Sequence, residues 1–93
     1  MKDLDKITNA RRELSFTIAR HQKFNYFSPL GWVVVSDDFN DKIGEDMELV
    51  KEINGRWARA LSKSMALIGD SESISKTQYN EIIRKLKWVL KLL

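Results

Sequence analysis

The stretch FNYFSPLGWVVVSDD, residues 24–38, decides how the fold is read. It holds the only proline of the chain and four of its nine aromatic residues, followed by a triple valine. Ser28-Pro29-Leu30-Gly31 has the residue preferences of a type I turn, with Ser first, Pro second and Gly fourth. The flanks KFNYF and WVVVS are rich in aromatic and β-branched residues, which suit pleated strands. The competing reading makes Ser28 a helix cap with Pro29 in the first helical position. Gly31 would then sit early in a helix, where its backbone freedom is unfavourable. The extended reading is favoured: a short β-hairpin or extended segment near residues 23–36. One strand pair alone is marginal in water, so this segment needs helices to pack on.

Helices are predicted on both sides. Upstream, Leu4, Ile7, Leu14 and Ile18 form one stripe of a helix over residues 3–21. Downstream, Asp37 or Asp38 caps a long helix that runs towards residue 68. Its apolar face is traced by Phe39, Ile43, Met47, Val50, Trp57, Leu61, Met65 and Ile68. Gly44 and Gly55 lie within it and mark a bend or a close crossing. The run GDSES, residues 69–73, is a stop, with Gly69 as the residue just past the helix end. Ser75 and Gln78 then match a capping box, and a wide apolar stripe follows from Tyr79 to Leu93. The short connection makes the last two helices an antiparallel hairpin. The expected architecture is mainly α, one domain over residues 1–93: an N-terminal helix plus a long helical hairpin.

With 93 residues and no cysteine, the chain has a modest core and no covalent staple, which favours assembly as a homo-oligomer. No apolar run approaches the ~20 residues of a membrane span, and no leader pattern opens the sequence, so a cytoplasmic location is expected. The formal charge is +3, unevenly spread. Residues 37–52 carry Asp37, Asp38, Asp41, Glu45, Asp46, Glu48 and Glu52, whereas residues 76–93 carry Lys76, Arg84, Lys85, Lys87 and Lys91. Pairing of these blocks within the fold is the expected arrangement.

Catalytic chemistry finds little support. His21 is the only imidazole and sits at a helix end, where it serves better as a cation than as a general base. Asp37, Asp38 and Asp41 lack the spacing of a calcium loop, and the four glycines stand too far apart for a phosphate loop. No metal or cofactor is expected, and the chain is read as a non-enzyme. Short, charged helical chains of this build are common among small phage and mobile-element proteins that bind and block a host component. The expectation is therefore a binding protein that sequesters or inhibits a macromolecule or an anionic small molecule.

Three surfaces are candidates. Arg20, His21 and Lys23 precede Tyr26 and Phe27, combining charge with aromatic contact for a protein or anionic ligand, while Phe24 and Trp32 are assigned more to the core. Trp88 and Leu92, off the main stripe, together with Leu93, are expected at an oligomer interface. As the alternative function, a small DNA- or RNA-binding regulator would use Lys76, Thr77, Gln78, Asn80 and Arg84 of the helix from Ser75. The assembly expectation is checked by sedimentation equilibrium. A dimer or larger species should prevail at micromolar concentration and shift towards monomer in Trp88→Glu, and a 10.9 kDa species alone would remove it.

Overall fold

The computed structural model describes residues 2–66, 68 and 73–93, with side chains from residue 4 onward. In chain order the elements are α1 (Lys2–Phe24), β1 (Tyr26–Phe27), β2 (Trp32–Val34), α2 (Asp37–Lys51), α3 (Gly55–Met65), β3 (Ser73–Ser75) and α4 (Lys76–Leu92). The fold is mainly helical. α1 packs on α2 and α4, and α3 packs on α2 and α4. Leu14, Phe39, Ile43, Leu61, Ile82 and Leu86 meet in the core that these helices enclose. No helix among the described residues is long and apolar enough to cross a membrane.

The segment after α1 is extended, as its composition predicts. The Gly31 amide donates to the Ser28 carbonyl (3.2 Å) and the Ser28 amide to the Trp32 carbonyl (2.9 Å), closing the turn. Gly31 has φ +96°, the left-handed conformation that ends a three-residue hairpin loop and that other residues adopt with strain. The hairpin does not stand alone. β3 adds a third antiparallel strand in the order β1-β2-β3, pairing Trp32 with Ser75, Val33 with Ile74 and Val34 with Ser73. Val33 and Ile74 point into the core, while Tyr26, Trp32 and Val34 share the outward face.

Three expectations need correction. The long second helix is two helices. The amides of Ile53 and Asn54 both return to the Val50 carbonyl (2.9 and 2.8 Å), and Asn54 is extended at φ −157°, ψ 108°. Its side chain accepts from the amides of Arg56 (2.9 Å) and Trp57 (3.4 Å), so Asn54 caps α3. Asn competes with helical backbone for hydrogen bonds, which places it at caps rather than interiors. At the start of α2 the cap is Ser36, whose hydroxyl accepts from the Phe39 amide; Asp37 and Asp38 lie in the first turn, where the dipole favours them. Trp32 is half exposed rather than core. The capping box of Ser75 and Gln78 is formed as the sequence predicts. The stop assigned to Gly69 lies outside the described residues.

Polar groups also bind α1 to α2. Asp46, whose side chain is fully buried, takes Thr17 Oγ1 at 2.5 Å and Lys42 Nζ at 2.5 Å, and Lys42 reaches Glu13 at 3.2 Å. Among the described residues every buried side-chain nitrogen and oxygen has a partner. Burial pushes the Asp46 carboxyl above its ordinary range, against the opposing pull of Lys42 and Thr17. For Lys42 burial works downward, but its bonds to Asp46 and Glu13 outweigh it and raise the ammonium pKa. Thr17 has one proton and two acceptors, Asp46 and the Glu13 carbonyl at 3.0 Å. A protonated Asp46 would donate to Thr17 and release the threonine proton for that carbonyl, so the network survives protonation.

A raised carboxyl gives the folded state extra proton affinity. Its contribution to stability is complete below the unfolded pKa and is lost as pH rises through the folded value. In urea unfolding at a series of pH values from 4 to 7, Asp46→Asn should lack this loss. The stability of the variant relative to wild type should therefore improve as pH rises, and a constant or falling difference would refute the assignment.

Candidate anion-binding groove

The cap at Asn54 fixes where α3 begins and hence which residues share its faces. Ala58, Leu61 and Ser64 are buried, and Arg56, Arg59 and Lys63, at spacings of three and four, lie on the outward face. On α4 the inward residues Tyr79, Ile82, Ile83, Leu86 and Val89 leave Lys85 and Trp88 outward. Where the two helices pack, a groove of about 310 Å³ is lined by Arg56, Arg59, Ala60, Lys63, Lys85 and Trp88. Trp88 is 44% exposed, and Lys85 Nζ lies 5.8 Å from the centroid of its ring.

Four cations thus line one depression. Among the described residues the ion pairs are Lys42 with Glu13 and Asp46, and Arg84 with Glu81; none involves a groove cation. The expected pairing of the acidic block with the basic C-terminal helix is not formed. Asp37, Asp38, Asp41, Glu45, Glu48 and Glu52 are exposed along α2 and its end. The molecule keeps an acidic face and a cationic groove as separate surfaces, and among the described residues no ion pair offsets the groove's repulsion.

The fold divides the aromatic surface anticipated around Tyr26. His21 and Phe27 turn towards Tyr79: His21 Nδ1 lies 2.6 Å from the Tyr79 hydroxyl, and the Phe27 ring meets that of Tyr79 edge-on at 5.2 Å. Asn25 Nδ2 donates to the same hydroxyl (3.1 Å) and to the His21 carbonyl (2.9 Å), and Asn25 Oδ1 accepts the Ser36 amide (3.0 Å). Burial lowers the His21 pKa, helped by Lys87, which favours a neutral ring whose Nδ1 accepts the tyrosine proton. Burial also pushes the Tyr79 hydroxyl up to about 12. Arg20, Lys23 and Tyr26 remain exposed, with the Arg20 guanidinium 4.7 Å over the exposed Phe16 ring.

The residues considered for nucleic-acid reading at the start of α4 are likewise divided. Lys76, Thr77 and Asn80 are exposed, but Gln78 Oε1 accepts the Ser75 amide (3.1 Å) and Arg84 pairs with Glu81 (2.7 Å). The Lys76 amide donates to the Gly31 carbonyl (2.9 Å), which holds this helix start against the sheet. Of the proposed interface residues, Trp88 and Leu92 are exposed, whereas Leu93 packs on the chain's own core and its carbonyl accepts from Arg11.

Arg56, Arg59 and Lys63 were not singled out from sequence. Their signal was present, three cations at helical spacing with no acid between residues 53 and 66, but it is hidden when Asn54 is read as helix interior. No protein-family profile, curated protein or solved structure matches the chain.

Exposed cations without partners contribute little to folding. Arg59→Gln and Lys63→Gln should change unfolding free energy by no more than about 0.5 kcal/mol, with relief of repulsion favouring a small gain. A loss above ~1.5 kcal/mol in chemical denaturation would mean that these side chains belong to the scaffold.

Proposed function

We propose that the protein is a non-enzymatic binding protein that captures an anionic macromolecule in the groove between α3 and α4. One observation carries this reading: Arg56, Arg59, Lys63 and Lys85 converge on a single depression beside an exposed tryptophan, with no ion-pair partner among the described residues. Unpaired like charges held together by a rigid helix pair create a positive potential that concentrates polyanions and speeds their association. The site uses rigid elements rather than loops, so its charges are already positioned before binding. The absence of catalysis from this reading rests on the engagement of the sole imidazole, His21, by Tyr79.

Self-association is a second part of the proposal, favoured by the outward sheet face. Tyr26 (62% exposed) and Trp32 (50%) lie there with Val34, and Leu92 adds apolar surface at the end of α4. This arrangement replaces the interface expected at Trp88, which serves the groove instead, so Trp32→Glu rather than Trp88→Glu should shift the assembly towards monomer.

The test compares two double charge reversals that alter net charge equally. Arg59→Glu with Lys85→Glu should abolish retention on immobilised heparin, while Arg20→Glu with Lys23→Glu should leave most of it. Equal losses would reduce the effect to bulk charge. Selective loss in the second variant would move the site to the end of α1.

A further inference from the structure

We infer that the anionic partner of the α3–α4 groove is single-stranded nucleic acid, with a base stacked on Trp88 and its phosphates on the flanking cations. This rests on the groove being the anion site. It adds the identity of the anion, which charge alone does not specify.

The aromatic ring makes the distinction. A sulfated polysaccharide or an acidic peptide would use the four cations, whereas a base adds a π-face whose shape matches the flat indole. Trp88 is 44% exposed and lies off the buried stripe that Leu86 and Val89 occupy on α4. Its outward position is supplied by helix phase and held by packing of its neighbours. Lys85 stands over the ring at 5.8 Å, and Arg56, Arg59 and Lys63 lie across the groove from it. Alternation of a stacking platform with backbone-tracking cations is the arrangement by which proteins hold unpaired strands without reading their sequence.

A duplex fits less well for two reasons. Its base faces are already stacked on one another, so Trp88 would have to unstack them first. The cationic strip is also bounded by acid on its α2 side. Arg59 is shared with the neighbouring groove between α2 and α3, which Glu48 and Lys51 also line, and α2 beyond it exposes carboxylates along its length. A single backbone can follow Arg56, Arg59 and Lys63, which span about 10 Å of helix axis. A second phosphate backbone alongside would approach the acidic face and be repelled.

The test measures fluorescence anisotropy of labelled fifteen-nucleotide oligothymidine and oligouridine, a duplex of equal length, and heparin as competitor. Oligothymidine or oligouridine should bind at least tenfold more tightly than the duplex, and the difference between the two strands reports the sugar preferred. The logarithm of affinity should fall with the logarithm of salt at a slope of about −3, the value for four phosphates on a single strand. Trp88→Leu, which keeps an apolar side chain, should weaken strand binding roughly tenfold or more while leaving the heparin affinity derived from competition unchanged, and Trp88→Phe should restore part of the loss. Circular dichroism of each variant establishes that it is folded. Preference for the duplex, or equal effects of Trp88→Leu on strand and heparin, overturns the single-strand assignment and leaves the anion groove standing. Failure of every polyanion to bind at low salt overturns both.

Discussion

The hydroxyl of Tyr79 is where four parts of the chain converge. It meets His21 at the end of α1 and Asn25 at the junction to β1, and its ring stacks on Phe39 of α2 and takes the edge of Phe27. Tyr79 is also the largest fully buried side chain. A buried phenol needs its polar tip satisfied, and here that requirement orients the last turn of α1, the start of the sheet and the first turns of α4 together. Once Tyr79 is inward, Ile82, Leu86 and Val89 follow on the same face, and Lys85 and Trp88 are left facing α3's cations across the groove. The position of the outward residues is thus a consequence of one inward one.

Charge is organised in the same manner, by burial first and pairing second. The one buried carboxylate among the described residues, Asp46, is served by Thr17 and Lys42, and it joins α1 to α2 at the cost of desolvation. The other carboxylates of α2 stay in water, and the cations of α3 and α4 do not cross to meet them. This separation leaves a dipolar surface. Exposed ion pairs add little to stability, so folding alone does not draw the two signs together.

Several of these features are legible in the sequence. Ser75 with Gln78 announces the cap of α4, and Ser28-Pro29-Leu30-Gly31 announces the turn, because each depends on neighbours within a few residues. The break at Asn54 is less legible, since the apolar rows on either side continue with little offset and only the Asn-Gly pair marks the stop. β3 is harder still: serine-isoleucine-serine has one apolar residue, and its partner strand lies about forty residues away. Thr17 and Asp46 read as ordinary polar positions, because local pattern does not report a hydrogen bond between two helices. The groove cations fall in the same class. Their spacing is local, but their convergence with Lys85 and Trp88 is tertiary.

The placement of β3 has a consequence for the order in which the protein assembles. β1 and β2 close across a short turn, a contact that forms within microseconds. The β2–β3 ladder, by contrast, must wait until α2 and α3 have brought Ile74 back to Val33, at the greater entropic cost of closing a long loop. Ser75 ends that strand and caps α4 at the same time, so strand pairing and the start of the last helix become one event. On the ribosome, the emerging chain carries β2 with one edge unpaired until residues 73–75 are released. β3 therefore covers the exposed strand edge and α4 completes the groove wall in a single step.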